Sequence, residues 1–217
     1  VCAPQPQRSP PAPARVLRVA TFTKQTLSLD DVEPDNEYVN CTLTVSNELI
    51  RINDVVFDHC QFEQSNFDGS DWGYVEFKGC NFLNATFHKS YFSNCKFTNV
   101  QLMGADFSME TLLKKCQFHD SNLHYANFSE TKMEASFFMD CNLVESSFQA
   151  VSVKKELSFN ACEINQIDFL DTRMKGIDLS QARFDDLIVN PELIKGLKIN
   201  PWQAGQIVAM LGVIVVD

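Results

Sequence analysis

Residues 77–107 read FKGCNFLNATFHKSYFSNCKFTNVQLMGADF, in which a large apolar side chain returns at Phe77, Phe82, Phe87, Phe92, Phe97, Leu102 and Phe107. A helix repeats its faces about every 3.6 residues and a strand about every 2, so a period of five belongs to neither. A fixed period held this long is the mark of stacked units that each pack on their neighbours. The register continues outward. Upstream it takes in Phe57, Phe62, Phe67 and Trp72. Downstream it reaches Leu112, resumes after one added residue at Phe118, Leu123, Phe128, Met133, Phe138, Leu143, Phe148 and Val153, and resumes after a second at Phe159, Ile164, Phe169, Met174, Leu179 and Phe184. It then fades through Val189, Ile194 and Ile199.

Two residues before each large side chain stands a small one: Cys60, Ser65, Ser70, Cys80, Ala85, Ser90, Cys95, Ala105, Cys116, Ser121 and Ala126. The residue between is often Asn or Asp, as in Ser65-Asn66-Phe67, Ala105-Asp106-Phe107, Ala126-Asn127-Phe128 and Cys141-Asn142-Leu143. Over residues 52–199 this resembles the pentapeptide-repeat family. The resemblance implies an all-β fold, a right-handed quadrilateral β-helix in which four quintets make one square coil and residues about twenty apart lie above one another. Seven coils from Phe57 to Ile194 then form a rod of roughly 34 Å at the spacing of sheet hydrogen bonding. The expected core stack is Phe57, Phe62, Phe67, Trp72, Phe77, Phe82, Phe87, Phe92, Phe97, Phe107, Phe118, Phe128, Phe138, Phe148, Phe159, Phe169 and Phe184. Counting sides in fours from Phe57, the two added residues, after Leu112 and after Val153, are expected at the same corner, between side four and side one.

The flanks divide the chain further. Residues 1–24 hold Pro4, Pro6, Pro10, Pro11 and Pro13 and no apolar period, and read as a flexible tail, a tag remnant or a processed end. Residues 25–51 read as an N-terminal cap with degenerate repeats, Cys41-Thr42-Leu43 among them. Within residues 200–217, Asn200 suits an N-cap, Pro201 a first helical residue and Gly212 a stop, with Ala204, Ile207, Val208 and Leu211 as one apolar face. Val213–Val216 reads as a short apolar strand. An exposed strand of this kind invites pairing with a second copy, so a homodimer is expected through Trp202, Ile207, Met210, Leu211, Val213, Ile214, Val215 and Val216. Folding back onto the chain's own rod is the alternative.

The formal charge is −10, and residues 25–217 carry 28 acids against 14 bases. An acidic body repels phosphates and anionic lipid and attracts basic protein surfaces, which argues against direct nucleic-acid or membrane binding. No apolar run is long enough to span a bilayer and no signal-peptide core opens the chain, so the expected location is the cytoplasm. Eight cysteines there are expected as reduced, buried thiols. His59, His88, His119 and His124 fall on three different sides. Without a convergent histidine set, a CxxC pair, a phosphate loop or a nucleophile elbow, neither an enzyme nor a cofactor or metal site is expected.

Sorted by side, the charges give three acidic sides and one basic side. The candidate partner-binding acids are Asp58, Asp68, Glu76, Asp106, Asp120, Glu130, Asp140, Asp168, Asp171 and Asp178. Side four and its bulged corner gather Lys114, Lys115, Lys132, Lys154, Lys155, Arg173 and Lys175. The approach Gly196-Leu197-Lys198 and the segment from Gln203-Ala204 to Leu211-Gly212 look like the dimerisation segment of the Qnr-type and MfpA-type proteins within the family. That resemblance implies a rod-like dimer that mimics DNA, engages DNA gyrase or topoisomerase IV and lowers sensitivity to quinolones. Qnr proteins of Gram-negative bacteria carry two long loops. This chain has only single-residue insertions, at Leu113-Lys114-Lys115 and Lys154-Lys155-Glu156, and is more similar to loop-free relatives of Gram-positive bacteria. A structural or scaffolding repeat protein with other protein partners is the alternative reading.

Overall fold

The computed structural model describes residues 20–210 and 212–214. They form a parallel β-solenoid of about eight turns closed by one short helix, Ala204–Met210. Side one is a continuous parallel ladder in which Phe22, Tyr38, Phe57, Phe77, Phe97, Phe118, Phe138 and Phe159 are successive register partners. Side four aligns Ile52, Trp72, Phe92, Leu113, Met133 and Val153 in the same way. Two long strands, Lys132–Met139 and Ser152–Asn160, run through the corner from side four into side one. In the middle coils sides two and three are held by single parallel bridges, Asn81↔Gln101↔Asn122↔Asn142 on one and Thr86↔Asp106↔Asn127↔Ser147 on the other, while short strands pair on side two of the first coils and side three of the last.

The rings prove the square section. Along one side they stack face to face: Phe97 on Phe118 at 4.6 Å and 5°, and Phe107 on Phe128 at 4.8 Å and 6°. Around a corner they meet edge to face: Phe77 with Phe82 at 88° and Phe87 with Phe92 at 71°. Both geometries are favourable for aromatic quadrupoles. Of the seventeen aromatic residues assigned to the stack, all are buried except Phe62, which is half-buried. The small slot makes room for the backbone to approach. Where it is polar it bonds: the Thr111 hydroxyl donates to the Phe87 carbonyl at 2.6 Å and accepts from the Ser90 amide at 3.3 Å.

Most corners also place a left-handed residue two places after the core side chain. Lys89, Asn94, Asn99, Lys115, Asp120, Tyr125, Glu130 and Asp140 all have φ between 49° and 60°. Asn and Asp tolerate this region better than other side chains, yet Lys, Tyr and Glu are held here too, because rung-to-rung bonds fix the corner. Their amides do the fixing, as when Asn94 donates to the Lys114 carbonyl at 2.8 Å.

Four expectations are corrected. The first added residue lies before side four and not after it: Leu113 is the fully buried partner of Phe92 and Met133, Leu112 is half-exposed, and Met109 and Glu110 are both left-handed. The reason is that Thr111 fills the small slot, which makes the second of two adjacent leucines the core residue. The second added residue does fall between sides four and one, where the register shifts opposite Glu134–Ser136. The two insertions therefore occupy different corners. Second, Ala20–Thr23 belongs to the solenoid and not to a flexible tail, since it pairs with Asn36–Val39 and Phe22 stacks on Tyr38 at 5.1 Å. Residues 1–19 lie outside the described residues. Third, the solenoid accordingly starts before Phe57 and exceeds seven coils. Its first turn is short, with sixteen residues between Phe22 and Tyr38.

The fourth correction concerns the cap. Asn200 makes a full capping box with Gln203, and Pro201–Gln203 is a 3-10 turn leading into the helix. Ile207 is buried in the rod's own core and Met210 packs against it, while Ala204 is exposed. Gln203 donates to the carbonyls of Leu179 and Ala182 at 2.8 and 2.9 Å. The inward face is thus Gln203, Ile207 and Met210, and it closes the end of the last coils. Val213 and Ile214 are not in a strand, and Leu211, Val215 and Val216 lie outside the described residues.

The corrected register has a direct check. Leu113→Ala is expected to cost about 2–5 kcal/mol in denaturant unfolding, and Leu112→Ala less than half of that. Equal losses would contradict the register.

Candidate protein-binding surface

A solenoid whose axis is filled offers only its exterior. The clefts among the described residues are open ones on the surface, and no cluster of metal-ligating side chains occurs there. No helix among them is long and apolar enough to cross a membrane. The seven described cysteines, Cys41, Cys60, Cys80, Cys95, Cys116, Cys141 and Cys162, are free and buried. Burial pushes the Cys60 thiol up to about 11 and the Cys80 thiol up to about 12, so neither is a thiolate nucleophile at neutral pH.

The ten candidate acids do not converge. Asp58, Glu76, Asp120, Asp140 and Asp178 flank the side-one core residues or their corner. Asp68, Asp106, Glu130, Asp168 and Asp171 do so on side three, the opposite face of the square coil. One flat partner cannot contact both sets. Several are also partly neutralised: Glu76 pairs with Lys78 at 3.3 Å and with Lys96 at 3.5 Å, and Asp178 with Lys198 at 3.5 Å. Of the residues assigned to a dimer contact, Trp202, Val213 and Ile214 are exposed, Trp202 by 91%. Ile207 and Met210 face their own rod, as described above.

The sequence reading missed His88. Its Nδ1 lies 3.2 Å from Asp68 and its Nε2 3.2 Å from Asp106, so one imidazole stands between carboxylates of the rungs on either side of its own on side three. The Asp68 carboxylate also accepts the His88 amide at 2.8 Å. Burial lowers the His88 pKa, but Asp106 and Asp68 together raise it more, and the net shift is upward. Burial works against Asp106 as well, yet hydrogen bonds from Ser108 and the charge of His88 hold its carboxyl below the ordinary value. The signal was available in the twenty-residue spacing of Asp68 and His88, one above the other once the coil length is known.

Residues 70–148 match a family model described as the pentapeptide repeat region. Those residues are a pentapeptide repeat region. Among solved structures, the repeat solenoid is similar to a trypsin-treated variant of QnrB1, a plasmid-mediated fluoroquinolone resistance protein, with 18% identity over 91% of this chain and 100% of that one and a TM-score of 0.50. A second trypsin-treated QnrB1 variant matches at 19% identity over 91% and 98% of the two chains, with a TM-score of 0.47. HetL, a pentapeptide repeat protein involved in heterocyst differentiation regulation from the cyanobacterium Nostoc, matches at 11% identity over 82% and 86%, with a TM-score of 0.40. At such identity the likeness concerns the fold alone. No curated protein matches the chain.

A histidine whose pKa is higher folded than unfolded stabilises the fold below its unfolded value of about 6.5, and that contribution fades as pH rises through the folded value. The melting temperature of the wild type is therefore expected to exceed that of His88→Gln by more at pH 6 than at pH 8.5. A constant difference would show that the imidazole does not bridge the two carboxylates as a cation.

Proposed function

We propose that this repeat solenoid is a DNA-mimicking protein that binds a type II topoisomerase, DNA gyrase or topoisomerase IV, and modulates it or protects it from quinolones. The observation that carries the reading is the charge of the rod. Residues 20–214 hold 27 acids, all but Asp217, and 15 bases, all but Arg8, Arg15 and Arg18, a net −12. Eight turns at the sheet spacing make a rod of about 38 Å, hence one net negative charge per roughly 3 Å. Duplex DNA carries one per about 1.7 Å, so the rod offers about half the linear charge of its model. That density is enough to steer a basic DNA-binding groove onto it and low enough to leave DNA the stronger ligand. The similar fold of QnrB1, itself a fluoroquinolone resistance protein, agrees with this reading.

In this reading the protein works by occupying a surface, in the cytoplasm, without catalysis, cofactor, nucleic acid or membrane. It is a homodimer through the C-terminal end, where Trp202, Val213 and Ile214 stand exposed beside a helix that has already spent its apolar face on the rod. The scaffolding alternative draws support from side four, whose cations do not belong on a DNA mimic.

A gyrase supercoiling assay with and without ciprofloxacin tests the proposal, with change in either expected and no effect at any excess contradicting it. Two charge-reversed variants identify the face: Glu130→Lys with Asp168→Lys and Asp171→Lys on side three, and Asp58→Lys with Asp120→Lys and Asp140→Lys on side one. One of them is expected to weaken the effect at least about tenfold. Trp202→Asp with Ile214→Asp is expected to be monomeric by light scattering; a dimer would place the interface elsewhere.

A further inference from the structure

On most of this acidic rod a cation finds a carboxylate. Lys78 and Lys96 share Glu76, Arg183 pairs with Glu163, and Lys198 lies against Glu156 and Asp178. Side four of the later coils breaks that rule. From Leu113 to Ile194 it and its corner with side one carry Lys114, Lys115, Lys132, Lys154, Lys155, Arg173, Lys175 and Lys195. Within this strip stand only Glu134 and Glu156, with Glu110, Glu130, Asp171 and Glu192 at its edge toward side three. Glu134 is taken by Lys155 and, at 3.6 Å, by Lys154. Lys114, Lys115, Lys132, Arg173, Lys175 and Lys195 make no ion pair among the described residues.

The strip also contains an opening. The residue inserted at Lys155–Glu156 shifts the register, and among the described residues no backbone hydrogen bond joins Ser152–Lys154 to residues 172–175 of the next coil. The gap is a cleft of about 340 Å³ lined by Val151, Ser152, Val153, Asp171, Arg173 and Lys175. Val153, half-buried above an almost fully buried Val151, supplies the apolar surface, while Arg173 and Lys175 supply positive charge.

We infer that side four of the later coils is a docking surface for an acidic, extended polypeptide segment, one that carries carboxylates along the strip and places an apolar side chain in the cleft. The strip covers four rung steps, about 19 Å, which is the reach of about six extended residues. Charge complementarity selects the anion, and the cleft selects polypeptide over nucleic acid, because phosphates have nothing to place against Val153. Width selects in the same direction. One side of the coil is about 10 Å across, so a duplex laid on it overhangs the acidic sides one and three within about a Debye length. This inference is independent of the topoisomerase reading and survives its failure.

The test uses a fluorescein-labelled peptide of about eight residues, glutamates with one central leucine, and fluorescence anisotropy on the full chain. Saturable binding that weakens with salt is expected. Lys114→Glu with Lys132→Glu, Arg173→Glu and Lys175→Glu should reduce the affinity at least about tenfold, and the matching set of Gln substitutions, gentler on folding, by a smaller factor. Arg51→Glu with Lys89→Glu, off the strip, should leave it unchanged. Replacing the leucine of the peptide by serine should weaken binding severalfold. Absence of binding at low salt, equal binding by the reversed and wild-type proteins, indifference to the leucine, or tighter binding of a duplex DNA to the same lysines would each overturn the inference.

Discussion

The structure depends on stacking a flat ring every rung inside a parallel ladder. Sheet hydrogen bonding sets the rise near 4.8 Å, and the ring stacks on sides one and three settle at 4.6 to 5.7 Å for most pairs. The agreement of these two lengths lets phenylalanine fill an axis that branched aliphatic side chains fill only in part. Four consequences follow: a square section with rings crossing edge to face, small slots beside each ring, left-handed corners, and an outer surface two or three residues wide on each side. Function is thereby confined to the outside, where side chains are free of the packing rule.

Because each coil touches only its neighbours, the ends carry the penalty. The C-terminal end is closed by Ile207 and Met210 and by Gln203, whose amide satisfies two carbonyls of the last coils. At the N-terminal end the first turn is short, and there Tyr38 accepts the Glu33 amide on its hydroxyl at 3.0 Å while its ring extends the side-one stack. The outer surface, in turn, is sorted by column: acids on opposite faces, one histidine clamp, and a cationic strip interrupted by a cleft.

Much of this was legible from residue spacing alone. The five-residue period names the core side chains one by one, since nothing but axial burial explains Phe77 through Phe107. Legibility failed where two residues satisfied the same rule, at Leu112 and Leu113, and only Thr111 in its slot decides between them. It failed at Phe22 and Tyr38 because sixteen residues separate them and no quintet count reaches across the shortened turn. The helix face was misassigned because burial of a polar residue, Gln203, carries no hydropathy signal. The surface was less legible than the core, as Asp68 and Asp178 look alike in sequence while lying on opposite faces.

Hydrogen exchange of backbone amides tests the stacked ladder most directly. Amides of the central side-one rungs, at Phe97, Phe118 and Phe138, should exchange most slowly, near the rate of global unfolding, with protection falling toward Phe22 at one end and Leu197 at the other. Central amides that exchange as fast as those of the end rungs would contradict a solenoid held together by its axial rings.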